Sequence, residues 1–190
     1  MLQSLWGHES FRPLQLDVIE SVVAGKDTLA LLPTGGGKSV CFQIPGILLG
    51  GVTLVISPLI SLMQDQVSAL MGRGIGAFSF TGYVSAAIFA HILKRISRSS
   101  CFFLYVAPER LHSRQIKTIL RTCSVRLLAV DEAHCISSWG HDFRPQYRTI
   151  SELRKELSGI PICAVTATAT PRTVRDIVKN LKMNNPEIVK

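Results

Sequence analysis

The sequence predicts an α/β fold, a doubly wound parallel sheet with helices on both faces, and three observations carry that reading. Apolar runs of strand length alternate with stretches of helical spacing along the whole chain. The strand-length runs are apolar without interruption, as strands are when both faces of a parallel sheet are covered. At 190 residues, 47% hydrophobic and 18% charged, the chain is long and apolar enough for one domain with a substantial core.

Residues 13–24 place Leu14, Leu16, Val18, Ile19, Val22 and Val23 at helical spacing, with Pro13 in the first turn and Gly25 as a stop. Leu29 to Leu32 reads as a short buried strand that ends in Pro33, Thr34 and three glycines, where neither helix nor sheet can continue. A helix follows over 40–49, a strand over 52–56 stopped by Ser57-Pro58, and a second helix over 61–71. Residues 72–79 give a loop and a third strand, 84–96 a helix, 101–107 an apolar strand ended by Pro108, and 113–121 a basic helix. The strand at 125–130 runs straight into Asp131-Glu132-Ala133-His134; a helix over 150–157, a last strand over 162–165 and a helix over 171–181 complete the chain. The pattern shows no internal repeat, low-complexity segment or linker.

No run of eighteen apolar residues and no basic-then-apolar leader is present, which predicts a soluble, intracellular protein without membrane contact. Cys41, Cys101, Cys123, Cys135 and Cys163 are odd in number and never spaced C-x-x-C, so they read as reduced thiols. The net charge of +8 is uneven: residues 1–90 sum to −1 and residues 91–190 to +9. That surplus suits a polyanion-binding surface, although solvated helix faces account for part of it.

In an open parallel sheet the ligand site lies beyond the carboxyl ends of the strands. Four such ends carry unusual residues. After the first strand, Gly35, Gly36 and Gly37 allow a loop whose backbone N–H groups cradle a phosphate at a helix start. Lys38 would reach the β- and γ-phosphates and Ser39 would ligate Mg²⁺. Leu32 replaces the first glycine of the G-x-x-x-x-G-K-[ST] pattern, so a plain glycine-rich turn is the alternative for this stretch. After the fifth strand, Asp131 is placed to hold Mg²⁺ and Glu132 to orient and deprotonate an attacking water, against the alternative of a solvated acidic turn. His134 could sense the nucleotide through hydrogen bonds; His134, Cys135 and His141 match no common zinc spacing. The third and fourth ends are Ser57-Pro58 and Thr166-Ala167-Thr168. The loop 135–148 holds three of the thirteen aromatic residues with Arg144 and Arg148, a mixture suited to stacking bases and holding phosphates of single-stranded nucleic acid, or else to folding back on the core.

Taken together, Phe11-Arg-Pro-Leu-Gln15, Thr34-Gly-Gly-Gly-Lys-Ser39, Ser57-Pro-Leu-Ile-Ser-Leu-Met-Gln-Asp-Gln66, Tyr105-Val-Ala-Pro-Glu-Arg-Leu111, Asp131-Glu-Ala-His134, the Trp139–Arg144 loop and Thr166-Ala-Thr168 resemble motifs 0 to III of the first RecA-like domain of a RecQ-type DNA helicase of superfamily 2. The aromatic-rich loop directly after DEAH is the most specific of these, and it argues against an RNA-directed DEAH enzyme. The resemblance implies a P-loop NTPase that unwinds DNA 3′→5′ with ATP and Mg²⁺. It implies ATP contacts by Phe11, Arg12, Gln15 (reading the adenine edge), Thr34, Gly35, Gly36, Gly37, Lys38 and Ser39. Hydrolysis would use Lys38, Asp131, Glu132 and His134, with Ser39 and Asp131 at the metal and Thr166 and Thr168 coupling. Ser57, Pro58, Trp139, His141, Phe143 and Arg144 would meet single-stranded and partly duplex DNA. The family adds a second RecA-like domain with an arginine finger, and in many members zinc-binding and winged-helix modules. None of these is matched within residues 1–190, so a truncated, non-enzymatic nucleotide- and nucleic-acid-binding module is the alternative function. Motif Ia leans toward eukaryotic members and hence the nucleus, with the bacterial cytoplasm as the other location.

Overall fold

The computed structural model describes residues 2–138, 142–167 and 169–190. Its helices are α1 (Leu2–Trp6), α2 (Gln15–Val23), α3 (Val40–Leu49), α4 (Ile60–Gly72), α5 (Ala86–Arg98), α6 (Arg114–Thr122), α7 (Ile150–Glu156) and α8 (Pro171–Asn180). Its strands are β1 (Thr28–Leu31), β2 (Gly51–Ile56), β3 (Gly76–Phe80), β4 (Cys101–Val106), β5 (Val125–Val130), β6 (Ile162–Thr166) and β7 (Glu187–Val189). They form one sheet in the order β3-β4-β2-β5-β6-β1-β7, and every pairing is parallel.

Because side chains alternate across a strand, one apolar run feeds two cores. Phe102, Leu104 and Val106 of β4 join Ile92 and Ile96 of α5, Ile116 and Ile119 of α6 and Ile177 of α8. Phe103 and Tyr105 of the same strand face the other way, with Val18 and Val22 of α2, Phe42 of α3 and Met63 and Leu70 of α4. Both faces are therefore covered, which is why no polar alternation was needed in the strands.

Helix α3 lies hard against the sheet. A Cβ on Gly46 would fall 2.4 Å from Thr53 Oγ1 and 2.8 Å from the Phe103 ring, so only glycine permits this approach. One residue earlier, Pro45 deprives the carbonyl of Cys41 of its helical donor. The buried thiol of Cys163 donates to that carbonyl instead, at 3.7 Å.

Three local features differ from the sequence expectations. The second helix starts at Gln15 and not at Pro13, because residues 12–15 close a turn through Gln15 N–H to Arg12 C=O at 3.1 Å. Leu14 sits at φ 69°, ψ −16°, the third position of a type II turn for which Pro13 is the natural second residue. The short α1 carries no readable period, and β6 is not the last strand: β7 adds to the sheet edge by pairing with β1. A three-residue strand is too short for a periodic signal.

Asp27 fixes that edge. Its carboxylate, almost wholly buried, accepts from Ile162 N–H at 2.9 Å, Asn184 N–H at 2.6 Å and Arg154 Nη2 at 2.9 Å. Its own carbonyl accepts from Glu187 N–H at 2.9 Å, so one residue ties the starts of β1, β6 and β7 to α7. Removing one partner of such a buried set strands the others, whereas a solvated pair such as Lys26–Glu187, 3.7 Å apart, contributes little. Asp27→Ala is expected to lower unfolding stability by about 3 kcal/mol and Lys26→Ala by less than about 0.5 kcal/mol, as read by chemical denaturation.

Candidate nucleotide and nucleic-acid site

Strands β2, β5, β6 and β1 are consecutive neighbours in the sheet, so the four strand ends singled out in the sequence come together along one edge. The glycine loop leaves β1, Ser57-Pro58 leaves β2, Asp131-Glu132 leaves β5 and Thr166 closes β6.

The loop 33–39 turns through Gly35 at φ 76° and Gly37 at φ 74°, with Gly36 N–H bonded to Pro33 C=O at 2.8 Å. Its carbonyls are held from the α2 side. The Arg12 guanidinium donates to Gly35 C=O, and Gln15 Nε2 donates to Gly36 C=O at 3.2 Å and Gly37 C=O at 3.1 Å. In a trans peptide the N–H points opposite to the carbonyl, so these bonds turn the N–H groups of Gly37 and Lys38 away from α2. Gln15 is 3% exposed, with Oε1 accepting from Arg12 N–H at 2.9 Å. The structure thus places this side chain as a brace beneath the loop, and a Cβ on Gly37 would collide with it at 2.4 Å. Arg12, Gln15, Gly35 and Gly37 also border a cleft of about 370 Å³ whose far wall is residues 7–10. Phe11 is half-buried and packs with Leu2, Ile19, Val40 and Ile44 beside it, while Thr34 borders the neighbouring hollow along the loop.

Ser39 precedes the first turn of α3 and makes no side-chain cap. Lys38 Nζ lies 3.2 Å from Glu132 Oε1. The other carboxylate oxygen of Glu132 lies 3.3 Å from His134 Nδ1, which in turn is 2.9 Å from Thr166 Oγ1. With its proton on Nδ1 the imidazole donates to the carboxylate and the threonine oxygen together. A chain of contacts therefore runs Lys38, Glu132, His134, Thr166, across the ends of β1, β5 and β6.

The two carboxylates are unlike. Glu132 is half-buried and its pKa is lowered, first by the hydrogen bond from His134 and then by Lys38. Asp131 is 4% exposed, and its pKa is raised to about 6 by burial and by the neighbouring Glu132 charge. Its oxygens accept from Glu132 N–H at 3.0 Å and from the Ser57 hydroxyl at 3.4 Å, and among the described residues it has no ion-pair partner. Ser57 differs from its expected role at DNA: it is 2% exposed, and its hydroxyl serves the Asp131 carboxylate. What this turn presents outward is Pro58, then Leu59 and Ile60, both exposed.

Of the aromatic loop, Trp139 and His141 lie outside the described residues, as does Thr168. Phe143 is half-buried with the Arg148 guanidinium 5.0 Å over its ring. Arg144 Nη1 donates to Pro58 C=O at 3.1 Å and Nη2 pairs with Asp142 at 3.1 Å, which brings the loop onto the turn after β2. The residue that sequence reasoning passed over is Tyr147. It is fully buried and its hydroxyl donates to Asp131 C=O at 3.0 Å; only its aromatic ring in a polar loop hinted at it.

A buried carboxylate whose folded pKa lies above its unfolded value favours the folded state while protonated, and that benefit is lost as pH rises through about 6. Asp131→Asn removes the charge and keeps an acceptor and a donor. Without divalent cations it is expected to stabilise the protein by about 1–3 kcal/mol at pH 8 and by about half as much at pH 5, measured by thermal unfolding at both pH values.

Residues 12–177 match the DEAD/DEAH box helicase family. The chain is 46% identical over 191 residues to the ATP-dependent DNA helicase RecQ of Bacillus subtilis, covering 100% of this chain and 32% of that protein. It is 44% identical over 190 residues to the RecQ-like DNA helicase BLM of Xenopus laevis, covering 96% of this chain and 14% of that protein. The chain thus spans about a third or less of these relatives. The helicase domain of Pyrococcus furiosus Hef superposes with a TM-score of 0.73 at 19% identity, over 98% of this chain and 39% of that one, a likeness of fold. The chain belongs to the DEAD/DEAH box helicase family, and within it to the RecQ-type DNA helicases.

Proposed function

We propose that this chain is the ATP-binding, first RecA-like domain of a 3′→5′ DNA helicase that couples ATP hydrolysis to movement along single-stranded DNA. The observation that carries the reading is the Lys38–Glu132 contact at 3.2 Å, which joins the glycine loop to the DEAH turn across two strand ends. In this reading Lys38 holds the β- and γ-phosphates, and the loop N–H groups line them at the start of α3. Glu132, whose pKa is held down first by the hydrogen bond from His134, accepts the proton of the attacking water. His134 and Thr166 keep that carboxylate oriented from the β6 side. Gln15 and Arg12 brace the loop and edge the cleft where the base would lie.

The residues fit Mg²⁺. A buried carboxylate with no ion-pair partner among the described residues, and a serine at the head of α3 whose hydroxyl makes no cap, are hard oxygen donors of the kind this ion takes along with phosphates and water. Asp131 and Ser39 would hold it, and it would supply charge neutralisation at the phosphates. Pro58, Phe143 and Arg144, with Trp139 and His141, would meet the DNA strand, the aromatics stacking bases and the arginine on phosphate. A second RecA-like domain of the same polypeptide would close the cleft. Shared by a bacterium and a vertebrate, the likeness supports a protein that works wherever its cell keeps DNA, in nucleus or bacterial cytoplasm.

In the full-length protein, Lys38→Ala and Glu132→Gln are each expected to cut DNA-stimulated ATP turnover at least about 100-fold while leaving thermal stability near that of the parent. Either variant retaining more than about a tenth of parental turnover would remove the assigned role. The 190-residue chain alone is expected to bind single-stranded DNA in a salt-sensitive way yet hydrolyse ATP very slowly, since an arginine finger from a second domain is worth about 10³–10⁵ in rate. Several turnovers per second from this chain with oligonucleotide would show the site to be complete without a second domain.

A further inference from the structure

We infer that Tyr147 is a positioning residue for the hydrolytic carboxylate: its hydroxyl holds the Asp131–Glu132 peptide in the orientation that aims Glu132 at Lys38. The inference rests on the proposed ATPase reading for its consequence, and on geometry for its substance.

Glu132 sits at φ 46°, ψ 49°, the left-handed region that a glutamate adopts only when its surroundings impose it. What imposes it is the peptide plane that precedes it. Asp131 N–H is tied to Ile56 C=O at 2.8 Å, which fixes the residue at the end of β5. The next peptide is then gripped at both edges: its N–H donates to Asp131 Oδ1 at 3.0 Å, and its C=O accepts from Tyr147 at 3.0 Å. Rotating this plane is the movement that would return Glu132 to negative φ. With the plane free, Glu132 can relax by turning about its own N–Cα bond, and that turn would carry its carboxylate away from Lys38 and His134. The aspartate side chain resists it from one edge and the tyrosine hydroxyl from the other.

Tyr147 itself has little freedom. It is fully buried in the core with Ala133, Ile136 and Ile150. Its N–H is bonded to Arg144 C=O at 2.9 Å, while Arg144 N–H is bonded to Cys135 C=O at 2.9 Å and its guanidinium to Pro58 C=O. The segment 142–147 therefore straps the turns after two adjacent strands, β2 and β5. A phenylalanine would fill the same space and lack only the hydroxyl, so Tyr147→Phe isolates the one bond at issue.

In the full-length protein, Tyr147→Phe is expected to lower kcat for DNA-stimulated ATP hydrolysis about tenfold, the worth of one hydrogen bond lost to a buried acceptor, with the KM for ATP and the Kd for single-stranded DNA within about twofold of the parent. In a Glu132→Gln background, single-turnover hydrolysis should show no further loss, because the hydroxyl acts through Glu132. A kcat within twofold of the parent, an additive loss in that background, or a joint collapse of kcat, KM and DNA binding would each overturn the inference. A crystal structure of Tyr147→Phe reads it without turnover: Glu132 should leave the left-handed region and the Lys38 contact should open, and an unchanged turn overturns it. If the parent shows no DNA-stimulated hydrolysis, the proposed function is what fails, and that structure still decides the role of Tyr147.

Discussion

Two carboxylates, side by side where a buried strand ends, are the constraint from which the rest of the site follows. Asp131 and Glu132 repel each other in a setting where water screens little, and a turn built this way persists only if cations and donors surround it. Parallel strands bring those groups within reach. Because every strand points the same way, the carboxyl ends of β1, β2 and β6 flank that of β5 along one edge, and each contributes a partner: Lys38, Ser57 and Thr166 through His134. The partners are shared unequally. Glu132 is stabilised as an anion by the hydrogen bond from His134 and by Lys38, whereas Asp131 accepts, among the described residues, from a backbone N–H and a hydroxyl and has its pKa pushed up to about 6 by burial and the Glu132 charge.

That inequality places a standing cost at Asp131 which the fold recovers elsewhere. Two sheet faces filled by unbroken apolar runs, and the clamp of Asp27 on the starts of β1, β6 and β7, supply stability far from the chemistry. Beneath the glycine loop the arrangement is stiff as well. Gln43 of α3 donates to Gln66 of α4 and to the Tyr105 hydroxyl of β4, both at 3.1 Å, and Tyr105 donates to Gln66 at 2.7 Å. A satisfied polar triad inside an apolar face admits one register of α3 against α4, and so fixes where the loop at the head of α3 begins.

The sheet and the contents of the site were legible because both are written locally. Continuous apolar strands, the Gly35–Gly37 break and the Asp131-Glu132 step off a strand each occupy a few neighbouring residues, and the polarity of a parallel sheet then brings them together without further information. Illegible features are those in which distant residues settle a local question. Gln15 braces carbonyls 21 and 22 residues away, so its motif position said nothing of what its amide would touch. Ser57 turns inward because Asp131, 74 positions on, needs a donor. Short elements fail for another reason: β7 has too few residues for a period, and Leu14 enters a type II turn that Pro13 favours at the expense of the expected helix start. The basic surplus of residues 91–190 was visible in sequence, but part of it lies on α5 and α6, helices that lead away from the strand ends carrying the site.

The contact between Lys38 and Glu132 has a consequence for the order of events in the proposed reaction. A lysine at 3.2 Å from a half-buried carboxylate is neutralised by it, and so is the carboxylate by the lysine. Neither is fully available for chemistry while paired. A triphosphate brings several negative charges against one, so Lys38 would leave the carboxylate for the phosphates, and Glu132 would keep His134 as its remaining donor. The pKa of Glu132 would then rise from its lowered value, because one of the two groups holding it down has gone, and a more basic carboxylate is the better acceptor for a proton from water. Substrate binding would in this way strengthen the base that the reaction requires, provided the left-handed turn keeps Glu132 in place once the lysine no longer does.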